Sequence, residues 1–227
     1  MLTRRLFIQR TTGAALAGAV FPGIVPASVF GAEGKAAPSN RIAVGCIGNG
    51  PQGTGDMRNF LSQPDAQVVA VCDVKQEQLQ QARDLVNKAY QNQDCATYAD
   101  FRELLARKDI DACLIATPDH WHVPISMAAV KAGKDIYTEK PMGCSLAEDQ
   151  ALRKAVHEQK RIFQFGTQQR SDRKFRTAAM LARNSSLGKL KHINVWSVGS
   201  TPGGSTKEIP VPSTMNYDLW LGPAPFR

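Results

Sequence analysis

Cys-x-x-Cys pairs are missing from this sequence, and no cysteine stands at metal-ligand spacing from any of its four histidines, so no metal site is expected. A dense basic run interleaved with aromatics is missing too, although the formal net charge is +8. That argues against nucleic acid as a partner and for a mildly basic solvated surface. No internal repeat and no low-complexity tract occurs. Acid is absent from residues 1–32, and charge of either sign from Thr11 to Ala32. An uncharged stretch of that length raises the question of a membrane span. It is, however, rich in Ala and Gly, only mildly hydrophobic, and interrupted by Pro22 and Pro26.

A basic start, a modest apolar stretch and small residues near Ala27, Gly31 and Ala32 make a signal peptide of residues 1–32. The pair Arg4-Arg5 in "TRRLFIQ" has the form of a twin-arginine signal, a route that exports protein already folded. The expected location is therefore the periplasm. An uncleaved membrane anchor is the competing reading. Three arginines lie in this segment, so without it the net charge falls from +8 to +5. Glu33 to Asn40 reads as a short linker.

Of the 227 residues, 43% are hydrophobic, enough to bury a core. Three of the five cysteines (Cys46, Cys72, Cys95, Cys113 and Cys144) fall in apolar runs that read as buried strands, where a thiol packs as a small hydrophobe. An oxidising compartment permits disulfides, but no spacing calls for one.

What is abundant is alternation. Short apolar, β-branched runs at 41–47, 67–73, 111–117, 135–140 and 161–167 are separated by helical patterns at 54–63, 75–90, 100–108, 123–132, from Ser145 onward, and 172–183. Asp100 is a candidate N-cap, Gly133 a helix stop, and Ser145 with Glu148 a capping box. Five or six such strands predict an α/β, doubly wound, mainly parallel sheet over residues 41–187. After Gly188 the pattern changes. "KLKHINVWSVG" (189–199) alternates and reads as an antiparallel strand, so residues 188–227 are expected to be the incomplete start of a second α/β domain.

"IAVGCIGNGPQG" (42–53) ends the first strand in a glycine turn, Gly48-Asn49-Gly50-Pro51-Gln52-Gly53. In a strand–turn–helix setting Gly48 permits the tight turn, Gly50 lets the backbone approach a pyrophosphate, and Gly53 allows close helix–strand packing. The helix N-terminus turns free N–H groups toward the phosphates. Asp73 closes the second strand, 20 residues past Gly53. There a carboxylate accepts from the ribose hydroxyls and repels a 2′-phosphate, which favours NAD over NADP, with Lys75 nearby to soften the repulsion. A glycine loop kept for packing alone is the alternative.

Ligands in such sheets sit over the carboxyl ends of the strands. "TPDHWH" (117–122) offers Thr117 and Pro118 beside the cofactor, Trp121 as a wall or a packing ring, and His122 as a catalytic group or a loop-orienting one. "EKP" (139–141) offers Glu139 and Lys140. The lysine is placed to hydrogen-bond a sugar hydroxyl and stabilise an alkoxide, and a Lys–Pro bond is one of the few that can be cis. "GTQQRS" (166–171) offers Gln168 and Arg170 to a polyol, or is a capped loop.

These motifs in this order, followed by "YDLWLGPAP", resemble the glucose–fructose oxidoreductase, inositol dehydrogenase and rhizopine-catabolism (Gfo/Idh/MocA) family. The resemblance runs from Arg41 to Arg227. It implies an N-terminal Rossmann domain and a C-terminal α/β domain that often makes homo-oligomer contacts. It also implies NAD(P)-dependent oxidation or reduction of sugars, inositols or related carbohydrates. It assigns Lys140 to the active site and matches Thr117, Pro118 and His122 to the TP-x-x-x-H loop. The family's catalytic Asp and His come from its C-terminal domain and would follow Arg227, so the chain is expected to be truncated. Two other activities remain open on the same fold: a redox-neutral NAD-dependent glycosidase and a non-catalytic sugar- or nucleotide-binding protein.

Overall fold

Short apolar runs, buried nearly continuously in Ile42–Ile47, Ala66–Cys72 and Ala112–Ile115, build the sheet. In the computed structural model, which describes residues 36–37, 40–196, 199, 204–205 and 207–225, the strands are β1 (Ile42–Ile47), β2 (Ala66–Cys72), β3 (Ala96–Tyr98), β4 (Ala112–Ile115), β5 (Asp135–Glu139) and β6 (Phe163–Gly166). They pair in the order β3-β2-β1-β4-β5-β6, all parallel. That is the doubly wound Rossmann order, with the switch point between β1 and β4.

The helices are α1 (Pro51–Leu61), α2 (Gln76–Tyr90), α3 (Phe101–Leu105), α4 (Asp119–Lys131), α5 (Leu146–Glu158), α6 (Arg173–Arg183) and α7 (Tyr217–Leu221). Alternating strand residues feed two cores. Val44, Cys46, Val71 and Leu114 pack with Met57 of α1 and Ala82 and Val86 of α2. Ile47, Cys113 and Ile115 pack on the other face with Leu104 of α3, Ala129 of α4 and Leu152 of α5. Layers of helix on both faces are why these strands are apolar throughout instead of half polar. The residues Ile42–Arg227 make one compact unit.

All five cysteines are free thiols, four buried and Cys144 exposed. Burial raises the thiol pKa of Cys95 to about 11 and of Cys113 to about 12, so these two pack as inert apolar groups. Asp100 caps α3 through the Arg102 N–H, and Gly133 follows the end of α4 at φ +75°. Ser145 accepts from the Glu148 N–H, but the Glu148 carboxylate returns to the Cys144 N–H instead of the cap residue, so half of the capping box forms.

Three expectations change. The helix expected from Thr54 begins at Pro51, inside the glycine turn, because proline at the first helical position has its φ pre-set and no N–H to leave unpaired. A sixth strand, β3, lies within a stretch read as helix and loop. It has only three residues, too few for a periodic signal. The strand expected over 189–199 is absent from its described residues 189–196, which are exposed and pair with no neighbouring edge. An alternating pattern makes a strand only where a partner supplies the ladder. The signal segment, residues 1–32, lies outside the described residues. Among the described residues no helix is long and apolar enough to cross a membrane.

Candidate functional site

The carboxyl ends of β1, β2 and β4 surround a cleft of about 300 Å³. Its floor is the glycine turn, and each glycine is there for a different reason. Gly48 has φ +83°, and a side chain on it would meet the Ala116 carbonyl oxygen at 2.6 Å. Its N–H bonds the Cys72 carbonyl at 2.9 Å, which ties the turn to the end of β2. A Cβ on Gly53 would lie 2.0 Å from the Gly48 oxygen and 3.1 Å from the Ala116 Cβ, so α1 packs on the turn only as glycine. Gly50 differs: a Cβ there meets nothing within 4 Å, and φ is an ordinary −63°. No protein atom fills the space beside Gly50, so the backbone there stays open for a ligand to lie against.

Other observations fit a dinucleotide. No side chain caps α1 and no acid occupies its first turn, so its first N–H groups and positive dipole end face the cleft. The Thr117 hydroxyl, at the cleft wall, is buried without a hydrogen-bond partner. Asp73, only 8% exposed, accepts from the Asn49 N–H at 2.7 Å and the Lys75 N–H at 2.9 Å. Each carboxylate oxygen thus keeps a lone pair for a ribose hydroxyl. Burial raises its pKa, against the lowering by these N–H donors.

Of the residues singled out from sequence, Gly48, Gly50, Gln52, Gly53, Asp73, Thr117 and Pro118 line the cleft. Asn49 sits beneath it. Its side chain is buried and donates to the Cys72 carbonyl at 2.8 Å, so it supports the turn from below. His122 is buried, with Nε2 at 2.8 Å from the Thr117 carbonyl and Nδ1 against the Pro141 carbonyl. Both nitrogens are committed to backbone, so His122 acts as the loop-orienting group, holding the end of β4 to the turn after β5. That turn contains a cis Lys140–Pro141 bond. Lys140 is exposed, one strand over from Thr117, and Gln168 and Arg170 are exposed in the 3₁₀ turn after β6. None of these three lines the cleft. They continue the same edge beyond it.

Glu139 is turned inward, 2% exposed, and does not face the cleft. Its carboxyl meets that of Asp56, a residue the sequence reading missed, on α1 one turn after Gln52. The Gln52 amide bonds Asp56 at 3.2 Å, and Glu139 accepts from the Lys140 N–H at 3.2 Å. Burial raises both carboxyl pKa values, and for Glu139 the neighbouring Asp56 charge raises it further. With an acid for a neighbour, Glu139 holds its proton to higher pH than a lone carboxyl does. The Tyr137 phenol beside them is pushed up to about 12, by burial first and then by the two acids. This network connects the cleft floor to the lysine turn. Its sequence signal was weak: one acid at i+4 from Gln52.

Comparison with known proteins agrees with this geometry. The family model described as "Oxidoreductase family, NAD-binding Rossmann fold" matches residues 42–167. The myo-inositol 2-dehydrogenase from Lactobacillus plantarum superposes with a TM-score of 0.59 at 26% identity, covering 66% of this chain and 43% of that one. The scyllo-inositol dehydrogenase from Lactobacillus casei, solved with bound NAD(H) and scyllo-inositol, gives 0.59 at 25% identity, covering 65% and 42%. A glycosyl hydrolase family 109 protein of Saccharopolyspora erythraea is 34% identical over 110 residues, 47% of this chain and 24% of that protein. One from Stenotrophomonas maltophilia is 31% identical over 153 residues, 65% and 31%. The chain thus spans about a quarter to a third of the length of these curated relatives. The cradle, the β2 carboxylate and the strand order have one common explanation: the chain belongs to the Gfo/Idh/MocA oxidoreductase family, and residues 42–167 are its NAD-binding Rossmann fold.

Proposed function

We propose that this protein is an NAD(P)-dependent oxidoreductase that acts on a sugar, an inositol or a related carbohydrate. The observation that carries the reading is the open backbone at Gly50, beside an uncapped helix start and in one cleft with Asp73. Bound there, NAD supplies hydride chemistry at a carbon bearing a hydroxyl. The chain's own residues divide the remaining work by strand. Asp73 at β2 holds the adenosine ribose and disfavours a 2′-phosphate. The Gly48–Gly53 turn holds the pyrophosphate. Lys140 after β5 gives a substrate hydroxyl a cationic hydrogen-bond donor, which holds negative charge on that oxygen as its proton leaves. His122 and the Asp56–Glu139 pair fix the lysine turn relative to the cleft. Gln168 and Arg170, one strand further out, are placed for the substrate's other hydroxyls.

The twin-arginine signal supports export to the periplasm. No free NAD pool exists there, so the cofactor is retained and cycles between two substrates. Homo-oligomer formation rests on the family resemblance alone. The test is an assay of NADH formation against a panel of inositols and sugars, with Lys140→Met beside the wild type. The expected result is activity on a polyol, a loss on the order of 10²–10⁴-fold in the variant, and NAD affinity nearly unchanged. Full activity in the variant contradicts the assigned role.

A second reading has its own observation: curated relatives are named glycosyl hydrolase family 109 proteins. In a redox-neutral glycosidase the sugar is oxidised and reduced again within one turnover. Glycoside cleavage without net NADH formation favours it.

A further inference from the structure

At Thr214 the chain lies against the Rossmann layer. The Thr214 carbonyl accepts from the Gln76 N–H at 3.0 Å, Met215 pairs with Lys75 as an antiparallel bridge, and the Asn216 N–H donates to the Val74 carbonyl at 3.0 Å. The Thr214 side chain also bonds the Glu77 carboxylate, which holds that carboxyl below its usual pKa. These contacts fasten the segment just past Asp73, at the end of β2. Its other end is fastened at the first turn of α4, just past the end of β4. The Trp121 indole N–H donates to the Leu219 carbonyl at 2.8 Å, and His120 Nε2 bonds the Trp220 carbonyl at 2.9 Å. Gly222, at φ +53°, lies so close to the Trp121 ring that a Cβ would meet it at 2.2 Å. Asn216 caps α7 through the Leu219 N–H at 3.0 Å. At this second fastening, Leu219 and Trp220 form part of the cleft lining, together with Gly50 and Asp73.

From this juxtaposition we propose that residues 214–222 belong to the dinucleotide site: they form a strap across the cleft from the β2 end to the β4 end, and the bound dinucleotide leaves only when the strap lifts. The proposal rests on the reading of the cleft as the NAD site. Leu219 and Trp220 share the cleft lining with the apolar side chains Phe101, Trp121 and Ile125, which suit the uncharged faces of a dinucleotide. The phosphates face the α1 N-terminus instead. A strap secured by several separate hydrogen bonds slows release without adding a charged contact. That is what a protein working away from a free cofactor pool requires.

The test uses variants of strap residues that do not line the cleft, Asn216→Ala and Gly222→Ala, in the full chain. NADH is bound, chased with excess NAD, and its release followed by fluorescence. Loss of the α7 cap is expected to speed release about fivefold. Gly222→Ala, which forces the indole and the strap apart, is expected to speed it tenfold or more, with association unchanged or faster. Release at the wild-type rate in both variants overturns the strap while leaving the NAD site intact. A wild-type chain that takes up no NADH overturns the NAD reading, and the strap with it. Should Gly222→Ala fail to fold, Asn216→Ala alone decides.

Discussion

Alanine at Gly50 and alanine at Gly53 separate binding from folding. At Gly53 the new methyl lies 2.0 Å from the Gly48 oxygen. That oxygen cannot yield easily, since the Gly48 N–H is tied to Cys72 and the residue is packed on Ala116. Overpacking of this kind costs about 3 kcal/mol, and the better helix propensity of alanine returns at most about 1 kcal/mol. A net loss of about 2 kcal/mol lowers the melting temperature by roughly 4–8 °C in a chain of this size. At Gly50 the methyl meets nothing. Alanine is a poorer N-cap by about 0.5–1 kcal/mol, while the stiffer unfolded chain returns about 0.4–1 kcal/mol, so stability is nearly unchanged. The methyl nevertheless occupies the space through which a pyrophosphate passes, and NAD affinity is expected to fall tenfold or more, about 1.4 kcal/mol. Thermal unfolding and calorimetric titration on both variants check this. Wild-type NAD affinity in Gly50→Ala, or a wild-type melting temperature in Gly53→Ala, refutes the assignment of the two glycines.

Two further outcomes follow from the carboxylates. Asp73→Asn keeps the turn's volume but removes the charge facing the ribose. NAD is expected to bind about tenfold more weakly while NADP loses less, so that the ratio of the two affinities narrows in paired titrations. Asp56→Asn removes one of the two buried, neighbouring acids. Because both folded pKa values are raised above their ordinary 3.8 and 4.5, the pair stabilises the fold below that range. The stabilisation is lost as pH rises through the raised values. The variant should therefore gain in melting temperature relative to the wild type as pH is raised from acid to neutral. A difference that does not vary with pH contradicts the raised values.

Much of this was legible in the sequence because it is local. The glycine turn, Asp73 at its distance, the strand runs and the caps at Asp100 and Ser145 are each set by neighbours within a few residues. What was missed depends on tertiary partners. β3 exists because the β2 edge pairs it, whereas residues 189–196 have a strand pattern and no edge. Glu139 and His122 carried the right residue types for a cofactor site. Only the fold shows that Glu139 turns inward to Asp56 and that both nitrogens of His122 hold backbone. Leu219 and Trp220 reach the cleft from about 100 residues beyond their partners His120 and Trp121, and no spacing within the sequence announces that contact.

The central claim is that the cleft over β1, β2 and β4 holds a nicotinamide dinucleotide. The most direct measurement is to purify the protein, denature it, and identify and quantify any released dinucleotide by mass and absorbance. Preparations found empty are then titrated with NAD. The account predicts about one NAD per chain, either released on denaturation or taken up on titration, and NAD in preference to NADP. A protein that releases none and binds none contradicts it.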